Sequence, residues 1–172
     1  METREYLSHF VSQLHKGYEA ALTGLTNEQL SFRPGGRANH IAFIAWHWVR
    51  TEDNIIQFVL QRKPTVWLEM ELNEKWNPPR NEQGTGIAME IAHNLAVPSA
   101  DAFLDYARAV WKRVDAYLAA LTPEELERVV KVNPFGELSV FQAIGQTLIA
   151  HGNEHLGQIG LTREIQGLGD PG

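Results

Sequence analysis

Along four long stretches of this chain, apolar residues return at every third or fourth position, the spacing that an α-helix gathers onto one face. The first stretch runs from about Thr3 to Gly24 and carries Leu7, Phe10, Val11, Leu14, Tyr18 and Leu22. The second runs from about Asn39 to Arg62, with Ile41, Ile44, Trp48, Ile55 and Val59 on its stripe. Asn39 reads as its N-cap, and Pro64 follows its end. The third spans about Ser99 to Leu121 through Phe103, Ala107, Val110, Val114 and Leu118. The fourth spans about Ser139 to Gln166 through Val140, Ile144, Leu148 and Ile159. Thr26-Asn27-Glu28-Gln29 and Thr122-Pro123-Glu124-Glu125 each place Gln or Glu three residues after a hydroxyl N-cap. That pattern predicts two short helices, the second near 123–129. No segment alternates strongly enough to predict a sheet. Amphipathic helices must bury their stripes on one another, so the prediction is an all-α four-helix bundle, one domain over residues 1–172.

A long crossover, Lys63 to Pro98, joins the second and third helices. It holds Pro64, Pro78, Pro79, Pro98, Gly84, Gly86, Trp67 and Trp76. A structureless loop of that length is unusual inside a compact domain. Ile87 to Leu95 is therefore expected as a short helix, and the remainder as a lid or partner surface.

The chain has 7 His and no Cys. A metal site must then be built from imidazole, carboxylate or carbonyl. His151 and His155 stand four apart, one above the other on a helix face, where two imidazoles can share one divalent ion. Chance alone would produce roughly 0.3 such pairs at this histidine content, so the pair needs support from its setting. Val140, Ile144, Leu148, His151 and His155 continue one seam, which points both rings into the bundle. On the second helix His40, Ile44, His47 and Thr51 also line an inward seam. Bundles build metal sites from inward side chains on facing helices. His47, His151 and His155 together give three neutral nitrogens and leave a coordination position open, as catalytic zinc sites do. A single inward histidine such as His47 is more often a hydrogen-bonded core residue, and its weight here comes from the alignment. Glu154 and Gln158 are the candidate catalytic residues: Glu154 as general base beside the ion, Gln158 as an orienting group seven residues from His151.

The other candidates read more simply. His40 is expected as polar lining at a helix start, His9 and His15 at the surface, and His93 on the lid or surface. Trp46 and Trp48 flank His47 and read as core, one of them walling the site. Trp67 and Trp76 are expected to cover an apolar part of a substrate. Gly152, Gly157 and Gly160 would permit close helix packing. Glu52 and Asp53 read as solvated or paired with Arg50. His151-x-x-Glu154-His155 also matches the inverted zinc-protease pattern. Only 17 residues follow His155 to supply the downstream ligand, so that reading is set aside.

A net charge of −6 with no dense basic cluster argues against nucleic-acid binding. No run approaches the roughly 20 apolar residues of a membrane span. The charged start Met1-Glu2-Thr3-Arg4-Glu5 does not read as a signal peptide. The expected location is the cytoplasm.

Ile44-Ala45-Trp46-His47-Trp48-Val49-Arg50-Thr51-Glu52-Asp53, followed much later by His151-x-x-x-His155-x-Gly157-Gln158-Ile159, resembles the DinB/YfiT-like superfamily. Leu30-Ser31-Phe32-Arg33-Pro34-Gly35 is similar to that family's segment before its second helix, and Gly136-Glu137-Leu138-Ser139-Val140 to the lead-in of its last. Leu156 departs from the pattern, standing where a basic residue is common. The resemblance implies a four-helix bundle, often a homodimer, with zinc, nickel or iron on three histidines that map to His47, His151 and His155. It also implies a small-molecule thiol and an electrophile as partners. The first reading of function is a low-molecular-weight thiol S-transferase. A metal-dependent hydrolase using the same site, or a non-catalytic metal-binding dimeric bundle, are the alternatives.

Overall fold

The computed structural model describes residues 2–76 and 83–169; Pro78 and Pro79 of the crossover lie outside them. Four long helical rods form the bundle: α1 (Thr3–Leu22), α3 (Ile41–Asp53), α7 (Ala100–Ala119) and α10 (His151–Ile165). Each packs on two neighbours, α1 against α7 and α10, and α3 against the same two. The predicted short helices form as α2 (Asn27–Ser31) and α8 (Pro123–Glu127). Thr26 and Thr122 cap them through their hydroxyls, and Gln29 closes the predicted capping box on α2. The crossover folds into α4 (Val66–Glu69), α5 (Leu72–Lys75) and α6 (Met89–Asn94), the last lying inside the predicted 87–95.

The structure corrects three local expectations. The N-cap of α3 is His40, whose Nδ1 accepts the Phe43 amide, and not Asn39. The imidazole does what a short polar side chain would do there, occupying an otherwise unpaired helical donor. A hairpin that no sequence pattern announced joins α8 to the last helix: β1 (Val129–Val132) pairs antiparallel with β2 (Gly136–Ser139), Val130 opposite Leu138. Its strands are four residues long, too short for a clear alternation. Finally, the second and fourth rods are not uniform. α3 runs on into a π-helical segment over Asn54–Leu60, and α9 (Val140–Ile144) reaches α10 through another at Gly145–Ala150.

Packing around the second π segment explains how it is tolerated. Trp48 donates its indole N–H to the Leu148 carbonyl at 3.2 Å, and Tyr18 donates its hydroxyl to the Gly152 carbonyl at 3.1 Å. One carbonyl in the π segment and one just past it thus each gain a side-chain donor. Tyr18 and Trp48 are stacked with ring centroids 3.9 Å apart. Trp46, Trp48 and Trp67 are fully buried; each removes roughly 200 Å² from water, a gross transfer gain of about 5 kcal/mol. Gly152 is needed in this arrangement, since a Cβ there would lie 2.7 Å from Trp48 Nε1.

Two carboxylates read as solvated or paired with Arg50 are entirely buried, and Asp53 keeps the Arg50 pairing. Glu52 accepts from the Trp111 indole at 3.1 Å and pairs with His15 Nε2 at 3.2 Å, tying α3 to α7 and α1. His15 is therefore buried too, against expectation, while His9 is exposed. Asp53 accepts the Val66 and Trp67 amides at 2.8 and 2.9 Å and the Tyr106 hydroxyl at 3.1 Å, with Arg50 at 3.5 Å. It thereby fixes the start of the crossover. Burial pushes both acids up, opposed for Glu52 chiefly by His15 and for Asp53 by the Trp67 amide and Arg50.

Candidate metal centre

His47 stands on α3 with its ring parallel to that of Phe43, centroids 6.0 Å apart. Its Nδ1–H donates to the backbone carbonyl of Gln83. The crossover comes close enough only because residue 84 is glycine. Gly84 has φ +98°, and a Cβ there would lie 2.8 Å from His47 Nδ1 and 3.2 Å from the Phe43 ring. His151 opens α10 directly after the π segment, and His155 lies one turn further on. His155 Nδ1 is 2.8 Å from the Gln158 side-chain oxygen.

The three imidazoles converge through their Nε2 atoms. His151 Nε2 is 3.1 Å from His47 Nε2 and 2.9 Å from His155 Nε2. Their candidate ligand atoms all lie within 4.8 Å of one another. The ring planes meet at 85°, 77° and 69°, so the nitrogens approach from three directions. Gln83 and Gln158 accept at Nδ1 of His47 and His155, so each ring carries its proton on the far side and turns an Nε2 lone pair to the centre. The His151 ring is hydrogen-bonded to the Thr147 backbone, which leaves its Nε2 lone pair for the centre; lone pairs facing each other at about 3 Å cannot hydrogen-bond, and a shared cation would satisfy all three. Partners of this kind also hold ligating rings in orientation. His151 is driven down to about 4 by burial, with His155 and His47 adding to the fall. Burial likewise lowers His47. Neutral, convergent, partly desolvated imidazoles form a donor set that fits a divalent ion of zinc, nickel or iron type.

The two catalytic candidates are placed differently. Gln158 accepts from His155 Nδ1–H through its side-chain oxygen and so holds that ring. Glu154 is exposed and is not among the residues of the three-histidine cluster. His40 is the helix-start residue expected. His93 is half-buried on α6 beside Arg33. Trp67 does not cover the site: it is packed in the core among Trp46, Trp76 and Tyr106.

Beside His47 and His151 opens a cleft of about 150 Å³. Its other walls come from the first π segment through Ile55, from Gln83 and Thr85 of the crossover, and from the hairpin turn at Asn133, Pro134 and Phe135. Sequence reasoning missed these residues. The hairpin went unseen, and Gln83 acts through a backbone carbonyl that any residue carries. The pair Gly84 and Gly86, both at positive φ, was the available signal for a close backbone approach.

A family model described as the DinB superfamily matches residues 11–159. The crystal structure of a conserved protein from Enterococcus faecalis superposes with a TM-score of 0.82 at 23% identity, over 96% of this chain and 97% of that one. That likeness shows a shared fold. No curated protein matches the sequence.

Proposed function

This chain belongs to the DinB superfamily, and from that premise we propose that it is a metal-dependent enzyme transferring a low-molecular-weight thiol to a small electrophile. One observation carries the reading: three Nε2 lone pairs aimed at one point, two of them fixed by acceptors on the opposite ring nitrogen. His47, His151 and His155 would hold the ion. A bound divalent cation supplies positive charge that favours the deprotonated form of a thiol beside it.

The chain's own groups support a thiol over water as nucleophile. Among the described residues, the cleft is lined by no Asp or Glu, and Glu154 lies outside the cluster. A thiol, whose own pKa is about 8.5, reaches its anion with less help than water does. Gln83 and Gln158 keep the rings in place while Ile55 and the hairpin turn exclude water from one side. In the step itself a sulfur–carbon bond forms. The bond to the leaving group breaks with its electron pair departing, and the thiol proton passes to solvent.

Metal analysis of the purified protein tests the site: about one ion per chain is expected with three protein ligands, and none in His151→Ala. Consumption of an electrophile such as a chloroarene is then followed with and without added thiol. Turnover that requires thiol supports the transferase; turnover that ignores thiol replaces it with a hydrolase, and a metal-free wild type removes both.

A further inference from the structure

Gln83 holds the His47 ring and Gln158 the His155 ring, whereas the His151 ring is held by the main chain of its own rod. In an α-helix the amide of residue 151 would bond the carbonyl four residues back, that of Thr147. The π segment at Gly145–Ala150 diverts it: the His151 amide goes to the Gln146 and Leu148 carbonyls. The Thr147 backbone is then open to the imidazole and bonds the ring, whose Nε2 faces the other two histidines. One widened turn thus supplies the partner that fixes the His151 tautomer and aims its lone pair. Two side chains bracket that turn. Trp48, next to His47 on α3, donates to the Leu148 carbonyl at 3.2 Å, before His151 in the rod. Tyr18 on α1 donates to the Gly152 carbonyl at 3.1 Å, directly after it. The two rings are stacked on each other and fully buried, so neither swings away without opening the core.

We propose that this π segment is the device that orients His151 toward a metal ion, and that Trp48 and Tyr18 are the positioning residues that hold its turn wide. The proposal rests on the reading that the three histidines bind a divalent cation. Turns of this kind are rare and concentrate at functional sites, and this one is bonded from two other helices. Without the two donors the turn tightens to α pitch. The Thr147 carbonyl then returns to the His151 amide, and the ring loses its acceptor. Trp48 also sets how closely α3 approaches the last rod, and with it the 3.1 Å between His47 Nε2 and His151 Nε2. Neither side chain belongs to the three-histidine cluster; both act through His151.

The test compares the full wild-type chain with Tyr18→Phe and Trp48→Phe, each of which removes one donor and keeps an aromatic ring. Trp111→Phe is the control: it removes an indole donor of the same kind, bonded to buried Glu52 and not to the last rod. Zinc affinity is read by competition with a chelating dye, and the visible bands of the cobalt(II)-loaded protein report coordination geometry. Both bracketing variants are expected to bind zinc about tenfold more weakly, the effect of losing outer support for a ligating histidine, and to show altered cobalt bands. The control is expected to lower Tm and to keep the wild-type zinc affinity and cobalt bands. Wild-type affinity and bands in both bracketing variants overturn the proposal. An equal loss of affinity in the control also overturns it, since general stability then accounts for the effect. Should Trp48→Phe not fold, Tyr18→Phe, which deletes a single oxygen, decides alone. These outcomes in a wild type that binds zinc sink this inference and leave the metal reading standing. A wild type that takes up neither zinc nor cobalt sinks both.

Discussion

Replacing Gly84 with alanine puts a methyl carbon 2.8 Å from His47 Nδ1, at a φ of +98° that side chains resist. The crossover must withdraw, and the Gln83 carbonyl withdraws with it. Metal affinity is expected to fall about 10- to 100-fold, as it does when an outer partner of a ligating histidine is lost, while helix content by circular dichroism stays unchanged. Gln158→Ala removes the corresponding partner of His155 and should weaken metal binding by about tenfold, read by competition with a chelating dye. These supporting residues mark the boundary of what the sequence disclosed. His151 and His155 were legible because a helix turns a four-residue spacing into adjacency. His47 was legible from its inward seam. Gln83 was not, since a carbonyl leaves no trace in residue type. The burial of Glu52 and His15 was missed for a related reason: charged residues belong at the surface by default, and only three-dimensional partners such as Trp111 reverse that; for Asp53 the Arg50 pairing was foreseen and the burial was not.

The long helices were foreseeable because their stripes run for several turns, and the caps at Ser99 and Ser139 bound the third and fourth closely. The π segments were not, because no residue type encodes a widened turn; a tertiary partner, Trp48, bonds one carbonyl of the second. Both segments adjoin the site, as π-helical turns frequently do. Gly152→Ala tests the close contact at one of them. A Cβ 2.7 Å from Trp48 Nε1 and 3.0 Å from Leu14 forces the helices apart, at a cost of about 1–3 kcal/mol. Asp53→Ala removes the acceptor for two amides of α4 and for Tyr106. Breaking so buried a polar cluster costs about 3–5 kcal/mol, which lowers Tm by roughly 10 °C in a chain of this size. A variant that melts with the wild type would remove Asp53 as the anchor of the crossover.

Across the molecule, the three-histidine cluster joins α3 to α10, whose His47 and His151 are 104 positions apart in sequence. An ion bound only by the folded chain stabilises it by mass action, about 2.7 kcal/mol at a hundredfold excess over Kd. Adding zinc to chelator-treated protein should therefore raise Tm by roughly 5–10 °C, and the rise should be absent in His155→Ala. The bundle follows from periodicity that any helical chain of this kind displays; the union of its second and last rods at one point does not. That separation also dictates timing. A nascent chain that has not yet made α10 carries only His47 of the three, so an ion that needs all of them has no site until residue 155 has been added and the two rods have met.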